Sequence, residues 1–112
     1  MPDAALDPTR LAKLRKIGGE ELVSALIDSF LAEAPARRAT LEGADPDAMA
    51  QVAHTLVAGA GQLGAAPLAL QARALEEAFR GQDPAAATRL APQLLITYDE
   101  ALAALRRFRE TA

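Results

Sequence analysis

The chain has 112 residues, of which 51% are hydrophobic and 4% aromatic, and its formal net charge is −3. This length allows one domain with a modest core. The charge excludes the strongly basic face that nucleic-acid binding requires, and the absence of cysteine excludes disulfides and thiolate zinc sites. With one histidine, an ordinary transition-metal site is excluded as well.

No targeting or membrane segment is predicted. The first ten residues, MPDAALDPTR, carry acidic side chains and no apolar run, unlike a secretory or transit peptide. No apolar stretch approaches the roughly 20 residues needed to cross a bilayer. We therefore expect a cytoplasmic protein that binds neither nucleic acid nor membrane.

Proline and glycine divide the chain into helical segments, without strand-like alternation. An Asp-Pro pair opens a short amphipathic segment and a Gly-Gly pair closes it, which predicts a helix over 8–16. A second helix is predicted over 20–42, where apolar residues recur at helical spacing until Gly43. Pro35 predicts a kink in this helix or an end to its first half, because proline removes a backbone donor.

Three further helices begin at or near a proline, where the missing N–H does no harm. Their predicted ranges are 46–63, 67–80 and 84–109, with a kink or break at Pro92. Short connections between long amphipathic helices favour antiparallel neighbours. The predicted fold is therefore all-α, an antiparallel four-helix bundle with a short N-terminal capping helix, in a single domain over residues 1–112.

The stretch AHTLVAGAGQLGA, residues 53–65, holds the single histidine of the chain. On a helical wheel, the predicted core face of this helix consists of Met49, Val52, Ala53, Leu56, Ala60 and Leu63. His54 lies about 160° from the centre of that face. This angle predicts that the imidazole points into solvent.

Small residues surround His54, whereas a solvated helix face normally carries long polar side chains. The stripe and its borders consist of Ala50, Ala58, Gly61, Asp47 and Gln51. A glycine costs a helix about 1 kcal/mol relative to alanine, and small residues let another backbone approach closely. Gly61 therefore predicts a docking surface, whereas Gly59 is expected to permit close helix packing and Gly64 to end the helix.

The next helix completes this surface. Its predicted core face consists of Leu68, Gln71, Ala72, Leu75, Ala78 and Phe79. In a hairpin that turns near Ala65, the residue level with His54 is near Glu76. Glu76 and the adjacent Glu77 are interpreted as partners in ion pairs on a wet face. For the arginines of this face, Arg73 and Arg80, contact with a transient phosphoryl group is an equal alternative.

The residue types around His54 favour a carrier over an autonomous enzyme. General acid–base chemistry needs an orienting carboxylate, a nucleophile and a pocket, and the sequence indicates none of these here. A neutral imidazole is nevertheless a good nitrogen nucleophile at neutral pH. It can accept a phosphoryl group in line if a partner supplies the metal and the electrostatic stabilisation.

These residues resemble histidine-containing phosphotransfer (HPt) domains. AHTLVAGAGQLGA followed by LALQARALEEAFR is similar to the family pattern A-H-x-L-K-G-x-x-x-x-L-G-A with a late Leu-Glu pair, and the likeness extends over nearly the whole chain. The resemblance implies that His54 is phosphorylated on Nε2. It also implies that Leu56 and Leu63 are core positions, that Gly64 is the final glycine, and that Arg80 lies near the phosphoryl group.

Two positions depart from the family pattern. The usual lysine, three residues after the histidine, is Val57 here, and the usual glycine that follows it is Ala58. The lysine is thought to neutralise the phosphoryl group and the glycine to clear space for a receiver domain. Either the phosphorylated state is less stabilised, or the protein docks receivers without carrying phosphate. Candidates for the lost donor are Gln51, Arg73 and Arg80.

The leading hypothesis is a monomeric phosphorelay intermediate of two-component signalling. His54 would carry a phosphoryl group between the aspartates of a hybrid sensor kinase and a response-regulator receiver domain. The chain is expected to hold no cofactor, with Mg²⁺ only in the partner receiver, and it has no nucleotide-binding motif. The partner-docking or phosphoryl-proximal candidates are Ala50, Gln51, Val57, Ala58, Gly61, Arg73 and Arg80. The alternatives are a degenerate HPt-like module that binds a receiver or kinase without phosphotransfer, and a helical dimerisation domain.

Overall fold

The computed structural model describes residues 4–111 of the chain. Its four helices are α1 (Pro8–Glu42), α2 (Pro46–Gln62), α3 (Ala66–Arg80) and α4 (Pro84–Thr111). These described residues contain no strand. α2 packs against α3, α3 against α4, and α1 against both α2 and α4. The predicted all-α bundle is confirmed, and the last three helices begin and end within two residues of their predicted ranges.

The predicted N-terminal capping helix is the first part of α1, and a kink at Gly19 separates it from the rest of α1. α1 runs from Pro8 to Glu42 with one non-helical residue, Gly19, at φ 73° and ψ −171°. Glycine adopts a positive φ without the steric penalty that a Cβ imposes. The Gly-Gly pair therefore ends the first helical segment, as the sequence analysis predicted, and the second segment begins directly after it.

At Pro35 and Pro92, where a kink or a break was predicted, the break is wrong, because α1 and α4 continue through both prolines. Each proline is itself exposed, but the residue before it, Ala34 or Ala91, is buried. Packing on both sides of a proline holds the helix together although one backbone hydrogen bond is lost. Tertiary burial therefore outweighs the local preference of proline at these two positions.

Aspartate begins three of the helices. The carboxylates of Asp7, Asp45 and Asp83 accept backbone N–H groups of α1, α2 and α4 at 2.9, 3.1 and 3.0 Å. A proline follows each of them, so its missing N–H falls where no intrahelical partner exists. These Asp-Pro pairs combine a side-chain cap with a preset backbone angle and fix where the helices start.

The core of the bundle is apolar. Its largest fully buried side chains are Tyr98, Leu11, Ile27, Leu56, Leu63, Leu68, Leu75, Leu94 and Leu105. The rings of Phe30 and Tyr98 meet edge to face, with their centroids 5.8 Å apart. In the described part of the chain, no helix is both long and apolar enough to cross a membrane.

The first part of α1 closes one end of the bundle. Leu11 and Leu14 are buried there, and the backbone N–H of Asp7 donates to the carbonyl of Gly64 at 2.7 Å. Gly64 has a positive φ of 79°, and an added Cβ would lie 2.8 Å from the carbonyl oxygen of Asp7. Glycine is therefore required at the end of α2, both for the turn and for the approach of the N-terminal segment.

Candidate functional site

His54 lies on the outer face of α2, and 75% of its side chain is exposed. Its neighbours Ala53 and Leu56 are fully buried. The residues predicted to face the core from α2 are buried, except the half-buried Val52. The helical period therefore predicted the outward orientation of the imidazole correctly, because adjacent positions differ by about 100° around a helix.

Glu76 of α3 contacts the imidazole. Its Oε2 is hydrogen-bonded to Nδ1 of His54, and only 16% of its side chain is exposed. A carboxylate only accepts, so Nδ1 must carry the proton. In the neutral ring, Nε2 then keeps its lone pair. The contact selects the tautomer in which Nε2 is the nucleophilic nitrogen.

This carboxylate corrects the sequence analysis. The predicted register, which set Glu76 level with His54, is right, whereas the conclusion that no orienting carboxylate lies near the imidazole is wrong. The interpretation of Glu76 as only a member of wet-face ion pairs is incomplete for the same reason. The packing of α2 against α3 turns Glu76 into the groove between the helices, and a wheel of α3 alone does not contain that information.

Arg80 joins the same carboxylate. Its Nη2 lies 3.6 Å from Oε2 of Glu76, one turn earlier on α3, and 72% of its side chain is exposed. A pair this exposed adds little stability and leaves the guanidinium able to move. Glu76 thus brings a cation and the imidazole to one oxygen atom.

A shallow pocket of about 260 Å³ adjoins this group, and Ala50, Glu76 and Arg80 are among its lining residues. Ala50 is half-buried, whereas Ala58 and Gly61 are exposed. A Cβ added at Gly61 would meet no atom within 4 Å. The surface around His54 is therefore open to another protein, as the small residues predicted.

The other predicted site residues lie farther from this group. Val57 is half-buried and packs against the core. Gln51 is exposed and lines a different pocket, between α1 and α2, together with Arg37 and Thr55. Arg73 is exposed. Of the candidate donors, Arg80 alone shares the carboxylate that contacts His54 within residues 4–111.

Gly59 faces α1. A Cβ added there would lie 3.6 Å from the ring of Phe30, which is ordinary van der Waals contact. The predicted role of Gly59 in close helix packing agrees with this position, although an alanine would also fit. Residues 4–111 contain no group of three or more His, Cys, Asp or Glu side chains that could hold a metal ion.

Comparisons with known proteins agree with this fold. The family model of the Hpt domain matches residues 25–108. The fold is similar to the crystal structure of histidine-containing phosphotransfer protein B (HptB) from Pseudomonas aeruginosa PAO1, with a TM-score of 0.87, 25% sequence identity and 99% of each chain covered. No curated protein matches the chain. The chain belongs to the Hpt domain family, which has a histidine phosphotransfer role in two-component signalling.

Proposed function

We propose that the protein is a phosphorelay intermediate and that His54 carries the phosphoryl group between receiver domains. The observation that carries this proposal is the exposed imidazole whose Nδ1 is bonded to Glu76, so that Nε2 is free to react. The partners are a receiver on a hybrid sensor kinase and a receiver of a response regulator. The family membership supports this class of partner.

The proposed step is an in-line transfer. The Nε2 lone pair of His54 attacks the phosphorus of an aspartyl phosphate, the P–O bond to the aspartate breaks, and the aspartate leaves with that electron pair. The ring then carries the phosphoryl group on Nε2 and keeps its proton on Nδ1. Transfer to the next receiver is the reverse reaction with a different aspartate. Mg²⁺ belongs to the receiver in this scheme.

Glu76 and Arg80 have complementary parts in this step. As Nε2 bonds to phosphorus, positive charge develops on the ring, and the Glu76 carboxylate at Nδ1 stabilises it. Arg80, which contacts the same carboxylate, supplies a guanidinium for the phosphoryl oxygens. It takes the place of the family lysine, whose position is held by the uncharged, half-buried Val57.

The open ground around His54 supports access by a receiver. The exposed Ala58 and Gly61 present a methyl group and bare backbone beside the imidazole, and nothing lies within 4 Å of the Cβ position of Gly61. Small side chains allow a receiver loop to bring its aspartate into line with Nε2. The protein itself supplies neither a nucleotide site nor a second nucleophile in this proposal.

Phosphotransfer profiling tests the proposal. Each receiver domain of the source organism is phosphorylated, incubated with the wild-type chain, and compared with incubation of His54→Gln. We expect label on the wild type and none on His54→Gln, while Gln93→Ala serves as a control at an exposed α4 position. Failure of every receiver to label the wild type would reject the carrier function.

Docking without phosphotransfer is the second candidate function, and Val57 and Ala58 favour it because they replace the family lysine and glycine. It predicts that His54→Ala preserves the signalling output, whereas the bulky Ala58→Trp abolishes it. The carrier function predicts that both substitutions abolish the output. Comparing the two variants in the same signalling assay separates the candidates.

A further inference from the structure

The pocket lined by Ala50, Glu76 and Arg80 is called the His54 pocket below, after the residue that Glu76 contacts. We propose that an apolar groove beside it receives an apolar segment, flanked by lysine or arginine, of the receiver that exchanges phosphate with His54. The proposal rests on the function proposed above, since it assigns a second contact to the same partner. We call this site the bundle-end groove. Its volume is about 860 Å³, and its apolar lining includes Met49, Phe79, Ala87, Ala91, Pro92 and Leu95.

The two ends of the bundle differ. The first part of α1 covers one end, where Leu11 and Leu14 are buried. The bundle-end groove lies at the other, between the α1–α2 and α3–α4 connections, and no part of residues 4–111 covers it in the same way. Phe79 and Leu95 remain half-buried there. An open apolar cavity of this size on a small protein is typical of an interaction surface.

The groove is continuous with the His54 pocket, because Pro46, Asp47 and Phe79 line both. Asp47 precedes His54 by two helical turns, or about 10 Å along the axis of α2. A standard protein interface buries about 800 Å² on each partner, a patch roughly 30 Å across. A receiver centred on His54 therefore extends over the groove.

Charge selects the kind of segment that enters the groove. Three carboxylates, those of Glu42, Asp47 and Asp83, belong to its lining, and no lysine or arginine does. Arg38, outside the lining, pairs with Glu42, so Asp47 and Asp83 supply the negative charge of the rim. A negative rim around an apolar floor attracts an apolar segment with basic flanks and accelerates its encounter with the groove. The acidic rim thus adds a second, electrostatic criterion by which a receiver is chosen.

A second copy of the chain is the competing occupant. Ile17 is 78% exposed and follows Arg15 and Lys16 in the sequence, so the protein itself carries a segment of the required chemistry. The continuity of the groove with the His54 pocket favours the receiver, because self-association through Ile17 would not explain why the two sites adjoin. Self-association is therefore an outcome of the test.

Thr88 provides the test variant. Its exposed side chain lines the groove from α4, and α4 contributes no residue to the His54 pocket. Thr88→Trp fills the groove, and Gln93→Trp is the matched control, since Gln93 is exposed on the same helix outside the lining. With the receiver that labels the wild type fastest in the profiling panel, we expect Thr88→Trp to raise KM about tenfold without changing the maximal rate, as for an interface hot spot. Gln93→Trp should change neither.

A charge variant gives an independent measurement. Asp83→Asn removes a rim charge but keeps a side chain that caps α4 equally well. We expect it to raise KM and to weaken the dependence of KM on salt concentration. If thermal melting shows that Thr88→Trp is unfolded, this variant decides alone: an unchanged KM with unchanged salt dependence overturns the groove.

Failure of the groove is distinguishable from failure of the carrier function. If the wild type is labelled but folded Thr88→Trp has an unchanged KM for the receiver, the groove proposal is overturned and the carrier function stands. If no receiver labels the wild type, binding of the same unphosphorylated receivers to His54→Gln, with and without Thr88→Trp, decides. Weaker receiver binding by the protein that carries Thr88→Trp supports the groove. Equal binding by the two proteins, or no binding by either, overturns it. Wild-type self-association in sedimentation that both Thr88→Trp and Ile17→Ser remove assigns the groove to a second copy and also overturns the proposal.

Discussion

Oε2 of Glu76 on α3 is hydrogen-bonded to Nδ1 of His54 on α2, across 22 positions of the chain. The imidazole is largely exposed, whereas the side chain of Glu76 is largely buried between α2 and α3. A fixed carboxylate thus orients a ring whose opposite nitrogen faces solvent. The proposed phosphoacceptor, His54, therefore acts together with Glu76, which is the less exposed of the two residues.

Removing the charge of Glu76 should slow the labelling of His54. Glu76→Gln keeps the shape of the side chain but no longer offsets the positive charge that develops on the ring, so we expect the initial rate to fall about tenfold or more. Glu77→Gln, which changes an exposed neighbour, is the control. The measurement is single-turnover labelling by a phosphorylated receiver, and equal rates for the two variants would contradict the role of Glu76.

Arg80 should matter more than Arg73 to the phosphorylated state. Both side chains are exposed on α3, but only Arg80 contacts the Glu76 carboxylate within the described chain. We expect Arg80→Ala to lower the labelling rate severalfold, because a charge-assisted hydrogen bond to the phosphoryl oxygens is lost. Arg73→Ala should have a smaller effect on the same rate. The reverse order would assign the missing cation to Arg73.

Alanine substitutions at two glycines of α2 and its C-terminal turn should have opposite effects on stability. Gly61 has open space at its Cβ position, so Gly61→Ala should raise the free energy of unfolding by roughly 0.5–1 kcal/mol. Gly64 has a φ of 79° and lies against Asp7. Gly64→Ala should therefore lower that free energy by about 2 kcal/mol or more. Urea denaturation measures both, and a destabilising Gly61→Ala would remove the argument that Gly61 is kept for docking.

Tyr98 should make the fold sensitive to alkali. Burial raises the pKa of Tyr98 in the folded protein, whereas the unfolded chain ionises this group near pH 10. Its contribution to stability is therefore fully present below about pH 10 and is lost as the pH rises from there through the folded-state pKa. Between about pH 8 and about pH 11, the urea midpoint of unfolding should fall less in Tyr98→Phe than in the wild type. An equal alkaline loss in both proteins would contradict this assignment.

Local chemistry explains why several features could be predicted from the sequence. Asp-Pro pairs set the starts of α1, α2 and α4, because capping and a fixed φ are properties of adjacent residues. The outward orientation of His54 follows from the helical period alone. The Gly64 turn also follows from a short-range signal, the left-handed conformation at which glycine commonly ends a helix.

Contacts between helices decided the features that the sequence analysis missed. Pro35 and Pro92 remain inside helices because the neighbouring turns are buried. Packing energy summed over many residues outweighs a local preference worth a few kcal/mol.

The sequence by itself determined that this protein is a helical bundle with one outward imidazole on ground made of small residues, since helical periodicity and capping act within a few residues. Only the tertiary structure decided that Glu76 orients that imidazole, that Arg80 shares the carboxylate, and that an apolar groove with an acidic rim adjoins the site. These relationships depend on how α2, α3 and α4 lie against one another. That arrangement is set by the fit of whole helix faces, and no short stretch of sequence encodes it.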